Sequence, residues 1–580
     1  MKQETKTHSK NSVSTNCQNC KKDFTIEPDD FSFYEKIKAP PPTFCPECRQ
    51  IRRYAWRNER SLFKTTCGNC QKNIFSAYPT ASIFPVFCRE CWLSDAWDPF
   101  SYAQDYDFSK PFFEQFKKLF DKVPRLHLFQ ANSTNSDYSN IIRDCKNVYL
   151  SYSVVIAEDV HYSKNIDHSR QIFDSLCIDA CERCAYLVYG ANNYDTFYSV
   201  YTRTCLNSYF LFDCVNCSNC FMSSNLRNKQ YVFRNEQYSK EEYEKLIKEK
   251  NLGSYKIFEE LIKEFDNLTQ TSIHKYADII KSTNATGHAL ANVKNAHSCF
   301  EAYDMENVKW TSRCFAIKDS YDVNNTGLGS ELCYEYTSGG TTMSKVLFSL
   351  ALLSASSELY YSGWCGGSSN LFGCFGIRNK QYCILNKQYT KEEYEEILPK
   401  IIEHMNSMPY VGANGRIYKF GEFFPFELSP FAYNESDAQE LSPLSEEEIK
   451  NKRYNFREAE EKKYEITKSS EDIPDLIEDV EDEILKEIIS CPHKGECLHQ
   501  CTTAFRITEE ELKFYKTHNL PLPRFCPNCR HYKRLEYRNP WKLWHRKCMK
   551  EECYNEFETS YAPERPEIVY CEKCYQQEVY

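Results

Sequence analysis

Thirty-one of the 580 residues are cysteine, and more than half of them cluster at the two ends of the chain. The first set is Cys17, Cys20, Cys45, Cys48, Cys67, Cys70, Cys88 and Cys91; the last is Cys497, Cys501, Cys526, Cys529, Cys548, Cys553, Cys571 and Cys574. Zn²⁺ takes four soft ligands in a tetrahedron, and a CxxC turn places two thiolates on one knuckle for a second pair to complete. The spacing predicts two four-cysteine sites at each end, about four Zn²⁺ in all. A closed tetrathiolate leaves no position for water or substrate, so the expected chemistry is structural: the metal holds together modules too small for much core. At the third site Cys491, His493 and His499 lie beside Cys497. Cys497 is taken as the ligand there, with the exact set left open.

The two ends are copies. The intervals Cys20 to Cys45 and Cys501 to Cys526 are both 25, Cys48 to Cys67 and Cys529 to Cys548 both 19, and Cys70 to Cys88 and Cys553 to Cys571 both 18. Phe33-Tyr34 matches Phe514-Tyr515, and FCPECR matches FCPNCR. The pattern CxxC, FY followed by Lys, P, CPxCR, met at 17–49 and, with the wider knuckle CLHQC, again at 497–530, resembles the probable zinc-ribbon (treble-clef-like) family. The whole layout is similar to large uncharacterised multi-zinc-ribbon proteins of candidate-phyla bacteria. That resemblance implies zinc binding and no activity.

A basic stripe follows each CPxCR: Arg49, Arg52, Arg53 and Arg57 in the first copy, Arg530, Lys533, Arg534 and Arg538 in the second. Near-helical spacing suits phosphate contact, with Tyr54, Trp56 and Trp541 available to stack on bases. The competing reading is that these cations offset zinc clusters of charge −2 each.

Between the ends the chain is periodic. From Cys145 it can be written in twelves over seven repeats without a gap. The first, fourth and tenth columns are mostly small (Cys145, Val148 and Val154 in the first repeat), and the fifth holds Tyr149, His161, Phe173, Ala185, Phe197, Tyr209 and Phe221, an aromatic row broken once by alanine. A fixed short period with column chemistry predicts a narrow β-solenoid. CVNCSNC at 214–220 has knuckle spacing, yet its cysteines fall in small inward columns and read as packing groups. A second block repeats the plan after a three-residue slip through SGGTT. Capping boxes at Ser239/Glu242 and Thr390/Glu393 predict a helix after each block.

The fold class expected is mainly β with helices: two zinc-ribbon or treble-clef-like end modules flanking two β-solenoid blocks of 12-residue repeats. The boundaries are a disordered tail at 1–16, the first double zinc module at 17–100, a helical entry at 101–144 and the first solenoid at 145–234. A helical connector at 235–285, the second solenoid at 286–388 and a capping helix at 389–406 follow. An irregular and acidic helical linker at 407–490 leads to the last module at 491–580.

The formal charge is −10 before any thiolate is counted, and four tetrathiolate sites would take it to about −18. Global charge therefore gives no general affinity for nucleic acid. No apolar run reaches the length of a membrane span and the N-terminus carries no apolar leader, so a cytoplasmic, membrane-free protein with reduced thiols is expected. HExxH, GxSxG, GxxxxGK[ST] and GxGxxG are absent, and an enzyme is not expected. Two functions remain: a zinc-binding scaffold presenting tyrosine-rich rows to a protein partner, or an RNA or DNA binder gripping phosphates through the arginine stripes.

Overall fold

The computed structural model describes residues 11–458 and 464–580. It is mainly β, with long parallel ladders, short hairpins and helices. The chain divides into two compact units. One comprises residues 1–127, 277–457 and 541–543; the other comprises 128–276, 458–540 and 544–580. The N-terminal cysteine module thus shares a unit with the second periodic block, and nearly all of the C-terminal module shares one with the first. Part of the expected tail, residues 1–10, lies outside the described residues; the rest is not disordered, since Val13–Asn16 is a strand paired with Asp23–Ile26.

In the first block each strand pairs in parallel with the strand twelve residues on: Tyr152 with Lys164, Lys164 with Leu176, Glu182 with Tyr194, and so to Ser218 with Gln230. The ladder begins at Gln130–Ala131, ahead of residue 145. Every third residue has positive φ, as in Asn147, Leu150, Ser153, Ile156, Asp159 and Tyr162. The left-handed region costs an L-residue about 1–2 kcal/mol, so such a regular series needs compensation from the surrounding structure. Each turn of twelve consequently has four three-residue sides, and one residue per side points inward: Cys145, Val148, Ser151 and Val154 in the first.

The inward columns explain the composition. A left-handed corner turns a backbone N–H into the interior, where an unpaired donor is costly. Ser151 Oγ accepts from Ser163 N at 3.0 Å and donates to Tyr149 O at 3.0 Å; Ser163 repeats this with Ser175 N at 3.0 Å and His161 O at 2.8 Å. That seventh column, Ser151, Ser163, Ser175, Ser199 and Ser223, is one the repeat alignment does not single out. Cysteine fills the same role through S–H donation, as in Cys217 to Val215 O at 3.3 Å and Cys220 to Ser218 O at 3.4 Å. Around Cys217 the thiols of Cys205, Cys214 and Cys220 gather in one buried cluster. On the outside, Asn135 donates to Asn147 at 2.9 Å and Asn147 to Asp159 at 2.8 Å, side chains that tolerate positive φ and lie in register.

The second block keeps the plan with two irregularities. Gly287 (φ 142°) absorbs a register shift beside Cys299, whose carbonyl oxygen would stand 1.8 Å from an added Cβ. Farther on, Tyr321 pairs with Tyr334, Tyr334 with Leu347 and Leu347 with Tyr360, thirteen residues apart each time, before Tyr360 returns to twelve with Phe372. The three extra residues are spread one per turn and do not form a single bulge at SGGTT. Cys333 and Val346 therefore take the inward places that a twelve-residue count assigns to Leu332 and Leu347.

Both blocks end alike. A short antiparallel return, Glu236–Gln237 or Lys387–Gln388, closes the ladder. A helix with its expected capping box follows, Lys240–Lys248 or Lys391–Ser407, packing Tyr243 on Tyr231 or Tyr394 on Tyr382. The apolar helix Phe112–Phe120 lies against the second block through Phe112 on Tyr361 and Phe120 on Phe375.

Within the aromatic row, His161 stacks on Phe173 with ring centroids 4.6 Å apart, and burial pushes its pKa down to about 4. The unfolded chain, with a histidine near 6.5, binds the proton first as pH falls, so stability is lost between about pH 6.5 and 4, by at most about 3 kcal/mol. His161→Phe, matching Phe173 in its column, is expected to flatten that part of the pH–stability curve measured by denaturant unfolding.

Candidate metal centres and the docking of their modules

One construction recurs at all four sites, the third having the hairpin Ile489–Ser490 with Ala504–Phe505 and the helix Pro527–Leu535. A two-stranded hairpin holds one cysteine pair in its turn, and the second pair begins a helix. For Cys17 and Cys20 the hairpin is Val13–Asn16 with Asp23–Ile26; Cys45 caps the helix Pro46–Tyr54, and Cys48 lies in its first turn. For Cys67 and Cys70 it is Phe63–Thr66 with Asn73–Ser76, joined by Cys88 and Cys91 at the helix Arg89–Leu93. For Cys548 and Cys553 it is Trp544–Lys547 with Glu556–Thr559, joined by Cys571 and Cys574 at the helix Glu572–Val579. The four ligand atoms of each set lie within 4.8 Å of one another. Cys20 and Cys45 are 3.7 Å apart, Cys70 and Cys88 3.8 Å, Cys553 and Cys571 3.9 Å. The edge of a tetrahedron with 2.3 Å zinc–sulfur bonds is about 3.8 Å.

A backbone bond marks the first ligand of each set. Cys45 N–H reaches Cys17 Sγ at 3.2 Å, Cys88 N–H reaches Cys67 Sγ at 3.2 Å, and Cys571 N–H reaches Cys548 Sγ at 3.3 Å. Such donors and the positive helix end favour the thiolate. Against the upward push of burial, the N–H groups of Cys70 and Cys88 hold the Cys67 thiol down to about 6, and Cys574 N–H helps to hold Cys571 at about 7.

At the third site this bond identifies a different ligand. Cys526 N–H reaches Cys491 Sγ at 3.4 Å, and the set that converges is Cys491, Cys501, Cys526 and Cys529. Cys491 thus stands where Cys17 stands in the first copy, and Cys497 does not. The spacing hides this because nine residues, 492–500, are looped between the two knuckle cysteines where the other copy has two. Cys497 groups instead with His493, His499 and Cys529.

The arginine stripes face inward. In the first module Arg49 reaches Asp322 at 2.8 Å and Arg53 reaches it at 3.1 Å; Arg53 and Arg52 meet Glu335 at 2.9 and 2.6 Å, and Arg52 meets Glu422 at 2.9 Å. In the last module Arg530 and Arg534 reach Asp174 at 2.7 and 2.6 Å, and Arg530 also meets Glu511 at 2.9 Å. Arg57 is buried with Glu59 and Asp437 at 2.6 and 3.2 Å; Arg538 is half-buried, and Lys533 is exposed but paired with Glu536 at 2.8 Å. Tyr54, Trp56 and Trp541 are buried as well. Phosphate contact through Arg49, Arg52, Arg53, Arg57, Arg530 and Arg534 is therefore corrected: their guanidinium groups are consumed inside the fold. Burial pushes the Glu335 and Glu511 carboxyls above their usual range, although Arg52 and Arg53, and Arg530, oppose it.

The docks are copies too. Phe33 stacks on Tyr321 at 3.9 Å, and Phe514 on Phe173 at 4.2 Å. Arg49 lies 4.8 Å over Trp310, and Arg530 lies 4.5 Å over Tyr162. Tyr162, Phe173 and Asp174 precede Trp310, Tyr321 and Asp322 by the same 148 positions. In the aromatic row of the first block Phe173 and Phe197 are thus covered by Phe514 of a module of the same chain. Asp174→Asn leaves two buried guanidinium groups without their carboxylate and is expected to cost about 3–5 kcal/mol. Denaturant unfolding and protease sensitivity of the C-terminal module read this loss, with zinc content unchanged; Asp322→Asn is expected to do the same for the N-terminal module.

No family model matches the chain, and no curated protein matches it. Among solved structures it is similar to a crystal structure provisionally named as an acetyltransferase, from Desulfovibrio desulfuricans G20, at 11% identity over 51% of this chain and 75% of that one, with a TM-score of 0.11. So low a score bears on neither fold nor activity.

Proposed function

We propose that the protein is a non-enzymatic zinc-binding scaffold: zinc-ribbon, treble-clef-like modules organised by four-cysteine centres and clamped to β-solenoids of twelve-residue turns. One observation carries this reading. Apart from the metal ligands, what the two modules share, Phe33-Tyr34 with Arg49 and Arg53 and their counterparts Phe514-Tyr515 with Arg530 and Arg534, is spent on holding each module to a block of the same chain. Closed thiolate sets supply no open coordination position for catalysis. The tyrosine-rich rows find their partner within the chain, and the buried stripes speak against a phosphate grip. Among the described residues no helix is long and apolar enough to cross a membrane.

Elemental analysis of the purified full-length protein is expected to find zinc at about one equivalent per four-cysteine set. Cys45→Ser lowers it by about one, whereas Cys217→Ser leaves it unchanged, because a serine in that inward column makes the same bond to the carbonyl two residues back. Near-zero zinc, or iron with visible absorbance, overturns the reading. Salt-sensitive nucleic-acid binding at about 50 mM salt would restore the alternative.

A further inference from the structure

The looped knuckle of the third site carries more ligands than one metal can use. We infer that residues 491–529 hold a pair of zinc ions sharing the Cys529 thiolate: one bound by Cys491, Cys501, Cys526 and Cys529, the other by His493, Cys497, His499 and Cys529. This rests on the zinc reading above and adds a second metal to one of its centres.

The comparison between copies is the first argument. In the first module the thiol equivalent to Cys529 is Cys48, whose sulfur meets the side-chain amide of Asn19 at 3.3 Å. Cys529 Sγ instead has His493 Nδ1 at 3.1 Å and Cys497 Sγ at 3.8 Å, besides Cys491 Sγ at 3.9 Å. The 3.8 Å separation again matches a zinc–sulfur tetrahedron. All four ligand atoms of the second set lie within 4.8 Å of one another.

The histidines are held for the purpose. His499 stacks on Tyr532 at 5.3 Å with planes 4° apart, and His493 packs against Phe525 at 5.0 Å. His499 Nδ1 is buried and has no hydrogen-bond partner among the described residues, a costly arrangement for a ring nitrogen with nothing to bind. Two thiolates and two imidazoles form a set suited to Zn²⁺. Five thiolates with two dications carry a net charge of about −1, against −2 for the single tetrathiolate, so the second metal relieves charge in a largely enclosed site. With both bonds to Cys529 near 2.3 Å, the metals lie no more than about 4.6 Å apart.

Full-length protein is assayed for zinc alongside His493→Ala/Cys497→Ser/His499→Ala, with circular dichroism to check the fold. The variant is expected to hold about one zinc fewer. After exchange into Co²⁺, exchange coupling through the shared thiolate is expected to leave the spin count of the parent protein about two below its cobalt content, and the variant's equal to it. Equal zinc in both proteins overturns the second metal and leaves the tetrathiolate reading standing. Little zinc in either overturns both. A parent spin count equal to its cobalt content overturns the shared thiolate even if the variant fails to fold.

Discussion

Each unit depends on one buried aspartate that receives two guanidinium groups from a single helix. Asp322 accepts Arg49 and Arg53, and Asp174 accepts Arg530 and Arg534, each pair four residues apart and so on one helix face. Taking such charges out of water costs several kcal/mol per ion, and the attraction repays it only where geometry is good and the remaining donors are met. Glu335, Glu422 and Asn324 meet some of them in the first unit, and Glu511 and the Tyr162 carbonyl some in the second, while Arg52 Nε, Arg530 Nε and Arg534 Nε stay buried without a hydrogen bond among the described residues. What the network gains is register: an apolar face could slide along a repeating surface, whereas two charges four residues apart fit one carboxylate.

The aspartate can stand there because of how the ladder turns. Asp174 and Asp322 occupy left-handed corners, at φ 46° and 55°, a conformation that Asp and Asn tolerate better than most residues. A corner residue projects away from the interior, and its height is fixed by the ladder beneath it. A metal in the four-cysteine set would fix the other partner. Cys45 and Cys48 anchor the first turn of the helix whose next residues are Arg49, Arg52 and Arg53, and Cys526 and Cys529 do the same for Arg530 and Arg534. Thiolates at the positive end of a helix and carboxylates along its flank together place a cationic element in an interior with little water.

Much of this was legible in the sequence. Three equal cysteine intervals gave the duplicated centres, the twelve-residue columns gave the ladder register of the first block, and two capping boxes gave the helices that follow each block. What stayed hidden was long-range or irregular. The arginines read either as a phosphate stripe or as cations offsetting charged zinc clusters, because their partners lie 273 and 356 residues away in the chain. Cys491 was passed over because the looped knuckle breaks the spacing rule that identifies its neighbours. The seventh inward column escaped because serine looks polar in a sequence and becomes an interior residue only once the corner N–H groups need an acceptor. The thirteen-residue turns after Tyr321 look like a single slip until the strand pairings place them.

The nested order of the chain would give a metal held by the N-terminal four-cysteine set a further task. The module at 17–91 meets an aspartate that is synthesised long after it, so for that interval it has no dock, and its helix Pro46–Tyr54 carries three cations without partners. Closing so long a loop costs only a few kcal/mol more than closing a short one, since the entropy grows with the logarithm of length. The harder requirement is that both surfaces exist when they meet. A module with little core of its own satisfies it only if something other than the dock keeps hairpin and helix together. A four-thiolate centre does so at about 10–16 kcal/mol of apparent binding energy in comparable small folds, more than a buried ion-pair network returns. With zinc in the four-cysteine set, metal and arginine would act in sequence along one helix: the metal would give the helix its place in the module, and the charges then give the module its place on the ladder.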